Sequence, residues 1–564
     1  MKSKFLVFAC ILASAITGYL VFQFSADIAE KKGEARTYPL QLAKNTDEDP
    51  DVAKWGLNFP SQLDGYMAMK DDLLETPYGG SLPFSKIIRW PAAAVFWDGY
   101  AFAVDYNKPR THFFSQIDQM ESKRVDIDHM RNDPFHGLKA FKGQPGACLN
   151  CHSGFLTTIM KGSKFADFRA EPVEAAKREM PFFDVDTADG AGRKAAWTKM
   201  NSTPYFNVIG AVRDRYGEGM HGSHLGSACA DCHAPEDMTL RVTRPAFVNA
   251  MVARGYEADA KSGLKGNRQQ MRDYVCMQCH TEYFFQGKDA TLVFPWDDWK
   301  KDAAWKMEDF DTYYEKARES GFYPVDYTHR KTGAKIIKMQ HPEAELASAG
   351  IHARSGVTCV DCHMPYKREG ANKVTEHNIQ SPYADIQASC KTCHPGESTD
   401  ALTKRVAFIQ DRHAHELRDC EDKLLSYVQD VIDARAMLAA TPQFASIEDE
   451  KARFEAISEA LKETLEFHRK AQMRWDIGFS ENSYGFHAPQ EAMRILGQCK
   501  ELARAGQVQL INDLAGFNLT LKLRQTPDAP RVLPQITTHK APTASLPTPR
   551  QKLIDEKSRK LNFL

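Results

Sequence analysis

The chain has 564 residues, long enough for a large core and more than one cooperative unit. Its 73 Lys and Arg against 74 Asp and Glu leave a formal net charge of −1, so no basic field marks it as a nucleic-acid binder and no nucleic-acid partner is expected. Aromatics at 10% and 19 methionines suit apolar cofactor pockets and ordinary cores alike, and decide nothing between them.

Taken in chain order, Lys2 and Lys4 precede an uncharged apolar run over 5–24. Twenty such residues are enough to span a bilayer and exceed the apolar stretch of a usual signal peptide. Residues 1–29 are read as a signal peptide or an N-terminal membrane anchor, with a retained anchor favoured. Cleavage beside Ala13, Ser14 and Ala15 would leave too short an apolar stretch. Cys10 reads as a core residue of this segment rather than a lipidation site. A charged linker is expected over 30–54. From 55 to 400 the chain is rich in Gly, Pro and aromatics, with irregular apolar runs and sparse strand signals. Such a texture suits short helices and loops wrapped around cofactors that themselves form the core. The stretches 401–440 and 447–475 are helix formers without Gly, and in the second Phe454, Ile457, Leu461, Leu465 and His468 recur on one face. Pro489 opens a third helix running through Met493, Leu496 and Leu502. These form a long-helix region over 401–520, followed by a Pro-rich, poorly ordered tail over 521–564. The expected class is mainly α.

Ten of the thirteen cysteines fall in five pairs, each with two residues between and a His directly after. The motifs are Cys148–Cys151–His152, Cys229–Cys232–His233, Cys276–Cys279–His280, Cys359–Cys362–His363 and Cys390–Cys393–His394. A disulfide framework needs no His after each pair, and structural zinc sites use such half-sites two at a time. Covalent haem needs this spacing: two thiols meet two vinyl groups, and the adjacent imidazole reaches the iron. At this composition chance supplies on the order of 0.01 such motifs. Five covalently bound c-type haems are therefore expected, on a domain exported from the cytoplasm. Nineteen histidines less these five leave fourteen candidates for second axial ligands.

Longer blocks carry a resemblance. They are YAFAVDYNKPRTHFF from Tyr100, CADCHAPEDMTLRVTRPAF from Cys229, CMQCHTEYFF from Cys276, IIKMQHPEAE from Ile336, and RWDIGFSENSYGFHAPQEAMRILG from Arg474. Together they resemble the ammonia-forming cytochrome c nitrite reductases, pentahaem proteins, over most of the chain between 90 and 497. The resemblance implies a multihaem cytochrome c fold, with the pentahaem catalytic region over 55–400. It implies His112, His377, His487 and His352 as the distal ligands opposite His280, His233, His363 and His394. His468, on an apolar helix face, is the rival to His487. It further implies one calcium ion held by Glu282, the carbonyls of Tyr283 and Lys338, and the side-chain oxygen of Gln340. The implied active-site trio is Arg124, Tyr283 and His341, with Arg131 as the alternative arginine.

The first motif departs from the family's commonest pattern. Many members carry Lys where this chain has His152, and a subset carries His. The implied reaction is the six-electron reduction of nitrite to ammonium at an open first haem. A periplasmic homodimer joined by the long helices and fed by a membrane quinol-oxidising cytochrome is implied with it. Two other readings stay open: a pentahaem electron carrier with five closed irons, and the same enzyme acting on hydroxylamine or sulfite.

Overall fold

The computed structural model describes residues 2–34, 42–47, 51–71, 74–134, 136–154, 156, 200–205, 207–209, 226–286, 290–370 and 372–528. Parts of the expected linker, and 529–564 of the expected tail, lie outside the described residues. Helix α1 (Lys2–Glu34) contains the apolar span Lys4–Ala29, of mean hydropathy 2.3 and wholly exposed, which is long and apolar enough to cross a membrane. Cys10 is exposed on it, so it sits in no protein core.

After residue 398 good helix formers and strong caps build the scaffold. The Ser398 side chain accepts from the Ala401 amide and starts α4 (Thr399–Ala439), with Asp400 in its first turn. Leu417, Leu424, Val428, Val431 and Leu438 form its buried stripe. Helix α6 (Pro489–Ala515) begins on a proline whose missing N–H costs nothing there. Between these two lies α5 (Lys462–Ser480), buried on nearly every face from Thr464 onward. Such a helix can only be the centre of a layer.

The expected helix over 447–475 is two helices, Glu450–Ala460 and α5, separated by Leu461 at φ −107° and ψ 17°. The hydrogen-bond ladder runs on through the bend, from Leu461 N to Ile457 O and from Leu465 N to Leu461 O. No Gly or Pro marks it. Leu461 is fully buried, and the bend sets Ile457, Leu461 and Leu465 into one core, so packing overrides propensity.

The described residues of 51–398 form short helices and five two-stranded antiparallel ribbons. Phe284–Gln286 pairs with Thr291–Val293 in the register Phe284 to Val293, and Tyr366–Glu369 pairs with Asn372–Thr375 in the register Tyr366 to Thr375. This region docks on α5. The Trp97 indole donates to Asp476 at 3.0 Å, and its ring meets Phe479 edge-on at 5.5 Å. Gln472 donates to the Phe96 carbonyl, Arg469 to the Lys335 carbonyl and Ser480 to the Met339 carbonyl. One wall of helix thus fixes two segments, one leading on to His112 and Arg124, the other to His341.

Cys420 on α4 and Cys499 on α6 are fully buried and joined in a disulfide across 79 residues of sequence, a bond that suits an oxidising compartment. Replacing both by Ala should cost about 2–4 kcal/mol, chiefly by freeing the unfolded chain. The expected outcome is a lower thermal midpoint, read by calorimetry, with haem absorbance unchanged. An unshifted midpoint would show that helix packing alone holds α4 to α6.

Candidate active site

Each haem motif sits on one tight turn. The His amide donates back to the carbonyl of the first Cys, at 3.0 Å for His152, 2.9 Å for His233, 3.0 Å for His280 and 3.0 Å for His394. That turn sends the two thiols to one side and carries the imidazole with them. None of the ten motif cysteines is in a disulfide, and all ten line one continuous cavity of about 2250 Å³. A pocket for a single small ligand holds roughly 300–1,000 Å³. Cys151 lies beside Cys279, and Cys276 beside Cys359, so the first motif abuts the third and the third abuts the fourth.

The same cavity is lined by imidazoles in facing pairs. Ring centroids lie 6.4 Å apart for His233 and His377, 6.4 Å for His363 and His487, 6.4 Å for His352 and His394, and 5.8 Å for His112 and His280. Two imidazoles on opposite sides of one metal, each bonded at about 2 Å, set their centroids roughly 6 Å apart. Nδ1 of His233 pairs with the Met238 carbonyl at 2.8 Å, that of His363 with Gln380 at 3.0 Å and that of His377 with Thr375 at 2.8 Å. A carbonyl partner makes Nδ1 the protonated nitrogen and leaves Nε2 as the free donor, the usual arrangement around a ligating histidine. Burial pushes His112, His152, His233 and His363 down to about 4, so each is neutral at pH 7, the form that ligates. Burial opposes charge on His487 too, but the Glu481 carboxylate 2.7 Å away outweighs it and raises its pKa.

The rival His468 is fully buried inside the long-helix layer. Its Nδ1 meets the Thr332 hydroxyl at 3.2 Å and its Nε2 the Gln472 amide oxygen at 3.1 Å. His487, and not His468, faces His363. Two glycines let the distal turns come in close. A Cβ at Gly226 would lie 1.6 Å from the His112 carbonyl oxygen, and one at Gly350 would lie 2.0 Å from that of His487.

Among the described residues, His152 is the one motif histidine without an imidazole facing it at such a distance. Its Nδ1 pairs with the Ser115 carbonyl at 3.1 Å. Arg124 and His341 lie close enough to lower its pKa, and Tyr283, beside Cys148 and Cys151, lines the same cavity. Arg124 is buried, its Nε donates to Ser122 Oγ at 3.0 Å, and its guanidinium lies 4.2 Å from the centre of the Phe102 ring. Arg131 lies away from the cavity and donates to the Phe141 carbonyl at 2.8 Å. The Tyr283 hydroxyl is pushed well above its ordinary pKa by burial, with Cys148 and Cys151 adding to the shift. His341 is half-exposed, pairs through Nδ1 with Glu343, and meets the His280 ring edge-on at 4.8 Å.

Behind His341 lies an oxygen-rich knot. Glu282 is fully buried, and one of its oxygens accepts from the Gln340 amide at 2.6 Å and the His341 amide at 3.2 Å. Its other oxygen is buried without a partner among the described residues, and burial raises its pKa well above the carboxylate range. Gln340 Oε1 accepts from the Lys338 ammonium at 3.4 Å, and burial lowers that lysine to about 8. A buried carboxylate with a free oxygen beside an amide oxygen is a donor set that fits calcium. Spacing gave no sign of Glu345, which leads from α3 (Glu343–Ala349). One of its oxygens accepts from the Thr281 hydroxyl, the Glu282 amide and the Trp296 indole, tying the Tyr283 loop to the helix that follows His341.

A family model for cytochrome c552 matches residues 51–560. A cytochrome c-552 of Parabacteroides distasonis is 32% identical over 477 residues, covering 85% of this chain and 78% of the relative. One from Porphyromonas gingivalis is 30% identical, covering 90% and 86%. Among solved structures, the catalytic subunit of cytochrome c nitrite reductase from Desulfovibrio desulfuricans, described with two calcium sites, superposes with a TM-score of 0.61. It is 26% identical, over 83% of this chain and 87% of its own.

Ten thiols on five equivalent turns around one cavity should each form a thioether. Intact-protein mass spectrometry after expression with a full maturation system should show five haem additions. Four or fewer would mean that at least one turn does not hold a porphyrin.

Proposed function

Because the chain belongs to the cytochrome c552 family, a family of c-type cytochromes, we propose that this multihaem oxidoreductase is a periplasmic five-haem enzyme reducing nitrite to ammonium. The observation that carries this reading is that Arg124 and His341 stand close to His152, the motif histidine with no imidazole opposite among the described residues, with Tyr283 beside Cys148 and Cys151 of the same motif.

Haems held by the five Cys-x-x-Cys-His turns would supply the redox chemistry, the one beside His152 serving the substrate and the other four acting as an electron reservoir. Nitrite, six electrons and eight protons give ammonium and two waters, so the site must hold an anion and deliver protons repeatedly. The Arg124 guanidinium, always charged, donates to the nitrite oxygens and stabilises the negative charge that develops as N–O bonds weaken. His341 donates a second hydrogen bond and passes protons, with Glu343 on its Nδ1 setting its orientation. The Tyr283 hydroxyl, held neutral by burial, keeps its proton available to donate. Glu282, Gln340 and the carbonyls of Tyr283 and Lys338 would hold one calcium. That ion would neutralise the buried carboxylate and fix the two loops bearing Tyr283 and His341. The calcium sites of the Desulfovibrio protein support this assignment.

The facing imidazoles support His112, His377, His487 and His352 as distal ligands opposite His280, His233, His363 and His394. Exposed Phe408 on α4, with Val508 and Ile511 on α6, supports a homodimer joined through the long-helix region. The apolar span in α1 supports an exported, membrane-anchored chain taking electrons from a membrane quinol-oxidising cytochrome. Residues 55–400 form the catalytic unit and 401–520 the helical one.

Arg124→Ala and His341→Ala should each lower nitrite reduction by at least about tenfold, for loss of a charge-stabilising or proton-delivering group. Arg131→Ala should stay near wild type, and all three variants should keep their haems. A reduced-dye assay with ammonium measured as product checks this. Full activity in both Arg124→Ala and His341→Ala would remove the basis of the reading.

A further inference from the structure

Just after the second motif, the segment 241–244 passes beneath three motifs at once. Arg244 is 1% exposed and starts the helix Pro245–Ala253. Its Nε donates to the Asn150 carbonyl at 2.5 Å and one terminal nitrogen to the Ser153 carbonyl at 3.0 Å. Those two carbonyls flank Cys151 and His152, so one planar guanidinium grips the first motif on both sides of its ligand. The other terminal nitrogen pairs with Asp231, inside the second motif, at 2.5 Å and donates to the Thr243 hydroxyl at 2.6 Å. The remaining Asp231 oxygen accepts from the Ala228 amide at 2.7 Å, at the start of the second motif. Gln278 joins the third motif to the same knot, accepting from the Thr243 amide at 2.8 Å and donating to the Asp231 carbonyl at 3.1 Å.

The pair is directional. Its cation lies against the first motif, and its anion belongs to the second. Oxidising a haem iron adds one positive charge, which a nearby buried cation opposes and a nearby buried anion favours. In a low-dielectric interior such terms are far larger than in water.

We propose that Arg244 is a positioning residue that locks the first motif to the second and third, and that the Arg244–Asp231 pair biases electrons toward the first haem. The cation raises the first haem's reduction potential while the anion lowers the second's. A lysine keeps the charge but cannot span both carbonyls, because only the planar fork presents donors in two directions. The proposal rests on the reading of the first haem as the site of reduction.

The test is a spectropotentiometric titration of the five-haem protein, with the high-spin signal tracking the first haem and low-spin absorption tracking the rest. The double variant Arg244→Gln with Asp231→Asn removes the pair without stranding a charge. The expected result is a lower potential for the first haem and a higher potential for one low-spin component, with the others unmoved. Arg244→Lys should keep both potentials near wild type, and it decides the matter should the double variant fail to retain five haems. Five unchanged potentials in the double variant would overturn the proposal. So would an Arg244→Lys protein whose first haem falls well below its wild-type potential. Absence of any high-spin haem would count against the open-iron reading, while opposed shifts in two components would still support the pair.

Discussion

A haem bound through two thiols on one turn is fixed by the backbone of that turn, so its position is decided by where the turn itself is held. Every other feature of the site answers to this constraint. The Cys-x-x-Cys-His turn sets the His amide back on the first Cys carbonyl and leaves the x residues free to reach outward. In three motifs those x residues make the ties between motifs. Asp231 meets Arg244, Gln278 meets Thr243, and Asp361 meets Arg272 of α2 (Arg268–Met277). Ser389, just before the fifth motif, donates to the Cys362 carbonyl of the fourth. The five turns are one hydrogen-bonded assembly rather than five beads on a loop. Close packing of cofactors thus follows from short-range polar contacts that burial makes costly to leave unmade.

The scaffold around this assembly is ordinary helix packing. Among the described residues of 51–398 the longest helix is Met307–Glu319, and α4, α5 and α6 supply the wall this region leans on. Trp97 anchors that arrangement: its ring meets Phe102, Tyr106 and Phe479 edge-on and tilts against Trp475, and its indole donates to Asp476. From it the chain runs to Arg124 and His112, while Ser480 and Arg469 hold the segment that ends in His341.

How much of this was legible in the sequence depends on the range of the interaction. The haem turns are local and were read directly, as were the capped and Pro-initiated helices after 398. The mainly α, multihaem fold followed from the long motif blocks. The bend at Leu461 was not legible, because it serves a core assembled from distant residues and no Gly or Pro marks it. Nor was the Cys420–Cys499 bond, since spacing alone cannot pair cysteines on two helices. Glu345, Glu481 and Arg244 were missed for the same reason: a buried carboxylate or guanidinium shows its role only once its partners are in place. Between Arg124 and Arg131, charge patterning could not choose. Arg124 lines the cavity, whereas Arg131 donates to the Phe141 carbonyl and is not among the lining residues. His468 looked like a ligand because it lies on an apolar face, and that face is buried against His329, Thr332 and Gln472 instead.

The account turns on one iron differing from four, because His152 alone among the motif histidines lacks a facing imidazole in the described residues. Electron paramagnetic resonance of the oxidised five-haem protein, before and after adding nitrite, tests this most directly. The predicted spectrum has one high-spin haem that nitrite perturbs and four low-spin haems that it does not. Five low-spin haems, all unresponsive to nitrite, would contradict it and leave a chain that only carries electrons.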